Sequence, residues 1–171
     1  FFFTHKTASA ILSGLVGSEM CIRDRQGRAQ ILRMQEADIE TVAALEAEVS
    51  PAPWSAGIFR DCLRAEYECW VLQAEKVFGY AIFSLGPGEA HLLNIAISPA
   101  RQRQGFARQL LTKVARIARV QGVERVLLEV RPSNLRARAI YEMAGFEFLS
   151  LREQYYGPPK KEDALVYTLA L

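Results

Sequence analysis

Three groupings of residues in this chain could do chemistry. The first is a carboxylate, Glu129, set inside the apolar run Leu127-Leu128-Glu129-Val130. In a strand, alternate residues share a face, so Leu127, Glu129 and Arg131 point one way and Leu128 and Val130 the other. A carboxylate left unpaired there is costly, so it needs a partner or a task. An ion pair with Arg131 is the structural reading; a general base at the end of a parallel strand is the functional one. The second grouping is Tyr141 on a helical stretch, stacked at four-residue spacing with Ala137 and Gly145. That face is small enough for a ligand to approach, although a core tyrosine with a satisfied hydroxyl fits equally well. The third is Gln102-Arg103-Gln104-Gly105-Phe106-Ala107, between an apolar run and an amphipathic one. A helix that starts at such a turn offers unpaired backbone N–H groups and the positive end of its dipole to an anion. Gly105 and Ala107 keep bulk away, while Arg101, Arg103 and Arg108 add fixed charge. The turn lacks the Lys-Ser/Thr of a nucleotide-triphosphate loop and the three glycines of dinucleotide folds, so a diphosphate resting on a helix start fits it better. Asn134, after Pro132-Ser133, either caps the next helix or binds a ligand amide.

The elements that must position these groups are set by periodicity. Strands are expected at 31–34, 69–73, 77–85, 90–98, 125–131, 146–151 and 165–171. Helices are expected at 37–49, from Ser55 to about Leu63, at 106–120 and at 135–143, the last stopped by Gly145. The order β-α-α-β-β-β-α-β-α-β-β implies an α/β (α+β) mixed sheet flanked by helices. The helix between the strands at 90–98 and 125–131 implies a right-handed crossover with parallel neighbours.

Composition narrows the function classes. The 171 residues, half of them apolar, carry a formal net charge of +2, too small to argue for nucleic acid or a membrane as partner. The three cysteines form no CxxC pair, and they read as reduced thiols of a cytoplasmic protein. His91 is the one histidine outside the first thirty residues, so neither a metal site nor a Ser–His–Asp arrangement is expected. Residues 1–29 open on Phe1-Phe2-Phe3 and are charged where a signal peptide would be cleaved. They are read as a non-native or disordered leader, with a single domain over 30–171.

Further motifs lie in register with these groups: Leu93-Asn94-Ile95-Ala96-Ile97, Leu128 to Asn134, Ile140-Tyr141-Glu142-Met143-Ala144-Gly145-Phe146, Pro53-Trp54-Ser55, and Tyr155-Tyr156 with Glu162-Asp163-Ala164 beyond it. Together they resemble the GNAT superfamily of acetyl-CoA-dependent N-acetyltransferases, in particular its RimI-type ribosomal-protein alanine N-acetyltransferases. Ala107 stands where many members carry Gly. The resemblance implies a GNAT-like acyl-CoA N-acyltransferase fold with acetyl-CoA as co-substrate. It implies that main-chain groups of Ile95, Ala96 and Ile97 hold the pantetheine arm, that Arg103, Gln104, Gly105, Phe106, Ala107 and Arg108 cradle the pyrophosphate, and that Asn134 contacts the cofactor. Glu129, through a water, would be the base and Tyr141 the acid, while Trp54, Tyr155 and Tyr156 would line the groove for a protein N-terminus. The expected substrate is the N-terminal alanine of a small-subunit ribosomal protein and the expected state a monomer or weak dimer. The same chemistry on a polyamine or aminoglycoside is the alternative; a non-catalytic acyl-CoA sensor is a third reading, which the presence of both Glu129 and Tyr141 disfavours.

Overall fold

The structure, a computed structural model, describes residues 21–24, 27–157 and 161–171. Its strands are β1 (Cys21–Asp24), β2 (Gly27–Arg33), β3 (Glu68–Gln73), β4 (Val77–Leu85), β5 (Glu89–Ile97), β6 (Arg125–Val130), β7 (Glu147–Tyr156) and β8 (Glu162–Ala170). The helices are α1 (Ile39–Val49), α2 (Ala56–Arg64), α3 (Phe106–Val120) and α4 (Leu135–Met143). They form one mixed sheet in the order β1-β2-β3-β4-β5-β6-β8-β7, in which only β5 and β6 run parallel. The expected alternation of strands and helices is present. Most boundaries move by three residues or fewer, as at β8, which starts at Glu162 rather than 165, and two move further. The strand expected at 31–34 begins at Gly27 and pairs with β1, which falls inside the segment read as a leader. The strand expected to end at 151 runs on to Tyr156, because β7 is an edge strand exposed along nearly its whole length and carries no apolar alternation to mark it.

The sheet is covered on both faces, and each cover is dictated by side-chain parity. On one face α1 and α2 bury Ile39, Val42 and Phe59 against Val71, Tyr80 and Ile82. On the other, α3 lays Phe106, Leu110, Val114 and Ala118 against Leu72, Phe83, Leu92 and Leu128, with Tyr141 and Phe146 packed beside them. Each such large side chain contributes about 1.5–3 kcal/mol by leaving water. Gly145 ends α4 at φ +92°, the left-handed conformation expected of it.

The feature that makes a site is an extra residue in β5. Phe83 pairs with Leu92 but Ile82 pairs with Asn94, so Leu93 is a bulge. Before it, Ala90 and Leu92 face the α3 side; after it, Ile95 and Ile97 do, while Ala96 turns toward α1. The bulged strand bends away from its parallel neighbour. Pairing of β5 with β6 stops at Leu92–Leu128, although β5 stays on β4 as far as Ile97 and β6 stays on β8 as far as Val130. The two strands part like a V, and the main chain beyond Leu93 is left with an open edge on that side.

Candidate active site

On the α3 face the V opens into a cleft of about 850 Å³, within the usual range for small-molecule sites. Ile95, Ala96 and Ile97 form one wall; Arg103, Gly105, Phe106, Ala107 and Arg108 form the end; Asn134, Ile140, Tyr141 and Met143 form the other wall. The cleft therefore gathers most of the expected cofactor residues, together with Tyr141. Gly105 is the N-cap of α3 at φ +84°, a left-handed conformation that glycine adopts without strain. Nothing lies within 4 Å of where its Cβ would be. The helical ladder begins with Gln109 N–H donating to Gly105 C=O at 3.2 Å, so the N–H groups of Phe106, Ala107 and Arg108 precede it at the mouth of the cleft. Gln104 departs from the expectation: it is not among the cleft residues, and its Nε2 turns back to donate to Ala100 C=O at 3.3 Å.

One contributor escapes a reading of the sequence, and another, Gln102, takes a part that its place in the turn does not announce. Gln102 donates from Nε2 to the Ile97 carbonyl at 3.0 Å and accepts from Arg136 Nη1 at 2.6 Å, tying the end of β5 to α4 across the cleft. Arg136 thus joins Arg101, Arg103 and Arg108 around the Gly105 end of the cleft. Its signal is a basic residue two places after Asn134, visible only once α4 is placed opposite the turn. Asn134 does cap α4, accepting from Ala137 N–H at 3.1 Å, and it lines the cleft as well.

Tyr141 is 8% exposed, with its ring 5.9 Å from that of Phe146. Burial, and to a lesser degree the neighbouring Tyr156, pushes its phenol well above the ordinary range. It therefore keeps its proton at neutral pH, the state required of a donor.

Glu129 lies outside that cleft, on the opposite face of the sheet, beside the V. The ion pair expected with Arg131 is not the one present. Arg152 Nη1 is 2.9 Å from Glu129 Oε1, while Arg131 lies 3.8 Å from Glu162 and stacks over the Tyr156 ring at 4.0 Å. The reason is register: β8 lies between β6 and β7, and its Val166 and Ala164 face Glu129 and Arg152 on neighbouring strands, so the two side chains meet diagonally across it. Ser133 Oγ donates to Glu162 at 2.9 Å, tying the loop before α4 to the start of β8. The Tyr156 phenol is pushed up to about 12, chiefly by burial. Tyr155 packs edge-on to Tyr156 at 5.1 Å.

Trp54 sits on the α1–α2 side, with its ring 5.6 Å from Phe59. Its main-chain N–H donates to Glu46, a carboxylate that sequence reasoning passes over because it looks like one more helical glutamate. Glu46 is 3% exposed and accepts three hydrogen bonds: Trp54 N–H at 3.3 Å, Tyr80 Oη at 2.6 Å and Asn94 Nδ2 at 3.2 Å. It pins the loop that carries Trp54 to the bulged part of β5. Among the described residues no group of His, Cys, Asp and Glu is arranged to hold a metal ion, and no helix is long and apolar enough to cross a membrane. Cys62 and Cys69 are free and buried.

Residues 34–146 match the pattern of the acetyltransferase (GNAT) family. The chain is 32% identical over 139 residues to the ribosomal protein bS18-alanine N-acetyltransferase of Haemophilus ducreyi, spanning 80% of this chain and 96% of that one. It is 34% identical over 143 residues to the enzyme of the same name from Escherichia coli K12, spanning 82% and 97%. The crystal structure of the Escherichia coli ribosomal-protein-S18-alanine N-acetyltransferase superposes with a TM-score of 0.76 at 33% identity, covering 83% of this chain and 93% of that one.

Proposed function

The chain belongs to the acetyltransferase (GNAT) family, and from that premise we propose that it transfers acetyl from acetyl-CoA to the N-terminal alanine of a small-subunit ribosomal protein. The observation that carries the reading is the V between β5 and β6, with an anion-binding helix start on one face of the sheet and a sheltered carboxylate on the other. A donor held in the cleft and an acceptor held beside Glu129 reach each other through that opening, so the reaction is a direct transfer between two bound partners. Similarity to two enzymes named for bS18 alanine acetylation, along nearly their whole length, supports the choice of substrate.

Acetyl-CoA, when bound, supplies an activated thioester; binding, orientation and proton movement fall to this chain's own groups. The open edge of β5 at Ile95, Ala96 and Ile97 extends hydrogen bonds to an extended arm as if to another strand. The helix start at Gly105 and the guanidinium groups of Arg103 and Arg108 hold the diphosphate. Glu129, through a water, takes a proton from the acceptor ammonium, because only the free amine has the lone pair to attack. A main-chain N–H of β5 would polarise the thioester carbonyl; as the C–S bond breaks Tyr141 would give its proton to the departing thiolate, and the second proton, shed by the attacking nitrogen as the amide forms, would restore the phenol. The cytoplasm, where ribosomal proteins are made, is the site of action.

The test is thiol release from acetyl-CoA with a panel of peptides differing in their first residue, and with polyamines and an aminoglycoside. Release with alanine-initiated ribosomal-protein peptides is expected. Release with the small amines alone would transfer the chemistry to a different acceptor. Glu129→Gln and Tyr141→Phe should each lower turnover by about 10²- to 10⁴-fold while leaving acetyl-CoA affinity largely unchanged. Turnover like the parent's in both variants would remove these two residues from the reaction.

A further inference from the structure

The face of the sheet that carries Glu129 already has a cation on it. Arg152 Nη1 sits 2.9 Å from Glu129 Oε1; the carboxylate side chain is 11% exposed and the guanidinium side chain 51%. The anion is thus sheltered while the cation reaches in from water. Arg131, the nearest basic residue in sequence, is engaged with Glu162 and Tyr156 instead. Arg152 comes from β7, an edge strand with solvent on its outer side, so its side chain has room to leave. It also has somewhere to go, since its Cζ already stands 5.7 Å from the centre of the Tyr155 ring.

An acceptor amine reaches the enzyme as an ammonium ion and must come to rest within one bridging water of Glu129. That place is taken. We infer that Arg152 is a stand-in for the acceptor ammonium: it occupies the Glu129 carboxylate between turnovers and is displaced onto the Tyr155 side when the N-terminus enters. The inference rests on the reading of Glu129 as the base. The geometry has three consequences. A half-exposed pair is weak enough for an incoming cation to displace it. The groove is never left with a sheltered, uncompensated carboxylate, which would attract any small cation. Arg152 therefore sets the threshold for cations at Glu129 and acts on acceptor binding rather than on the chemical step.

The experiment is steady-state kinetics with an alanine-initiated peptide on the full chain bearing Arg152→Gln, Arg152→Lys or Glu129→Gln. Arg152→Gln should lower the peptide KM about two- to five-fold, the value of a half-exposed pair, with the rise in kcat/KM carried by KM. Arg152→Lys, which keeps a cation at the same place, should return KM toward the parent value. Low millimolar guanidinium chloride, matched against sodium chloride, should compete with peptide in Arg152→Gln and far less in the parent. A merely structural arginine would give neither the competition nor the recovery with lysine. An unchanged or higher peptide KM in Arg152→Gln, or a fall confined to kcat, would overturn the inference. An inactive Glu129→Gln beside an Arg152→Gln of unchanged KM would overturn the stand-in role alone. A Glu129→Gln with full turnover would overturn the base reading on which it rests.

Discussion

Substitution of Gly105 separates the conformational role of the turn from its ligand-binding role. The residue sits at φ +84° with nothing within 4 Å of a Cβ, so alanine there meets no neighbour and its cost is conformational. A left-handed alanine costs about 1–2 kcal/mol, and in a domain of this size each kcal/mol lowers Tm by about 2–4 °C. Asparagine and aspartate visit that region more readily, so Gly105→Asn and Gly105→Asp should both melt closer to the parent than Gly105→Ala does. The two differ in charge and hardly in shape. A carboxylate about 5 Å from a phosphate interacts with it by about 1 kcal/mol in water and about 3 kcal/mol at an effective dielectric constant near 20. Acetyl-CoA should therefore bind Gly105→Asp about 5- to 150-fold more weakly than Gly105→Asn. Titration calorimetry with acetyl-CoA, paired with thermal melts, reads both effects. Equal affinity in the Asn and Asp variants would mean that no phosphate rests at this helix start.

Stability measurements reach the groups outside the Gly105 turn. Asn134→Ala removes the cap of α4 and should cost about 1 kcal/mol of stability in urea unfolding. Glu46→Ala strands three donors, each worth about 1–3 kcal/mol, and should destabilise far more than Glu46→Gln, which still accepts hydrogen bonds. Burial raises the Cys69 thiol to about 12, so the folded chain keeps a proton that the unfolded chain releases near pH 8.5–9. Stability should be fully present below that range and fall as pH rises toward 12, seen as a declining urea midpoint; Cys69→Val should flatten the decline.

Most of the fold is legible in the sequence because apolar periodicity marks each covered strand and helix. The bulge is legible too, though only in retrospect. Ala90 and Leu92 keep one parity, Ile95 and Ile97 the other, and the doublet Leu92-Leu93 is where they change over. The turn at Gly105 can be read locally, since a helix start needs only its neighbours in sequence. Glu129's partner cannot, because Arg152 reaches it only through the register of two strands on either side of β8. Glu46 is hidden for the same reason, with partners 34 and 48 residues away on β4 and β5. Edge strand β7 hides its own length, since a strand wet on both sides has no reason to alternate.

The parting of β5 and β6 makes the site a matter of whole numbers rather than of side chains. Any substitution at Leu93 leaves the strand the same length, and the opening with it. Removal of that single residue would let Ile82 to Phe83 and Leu92 to Asn94 run in step, and the ladder with β6 could continue past Leu128. Asn94 would stay opposite Ile82 on the α1 face and Ile95 and Ile97 on the α3 face, so the deletion would close the opening without turning those side chains over. A parted sheet and an ordinary closed one are thus a single residue apart in length, so replacement of Leu93 should keep the opening that its deletion would close.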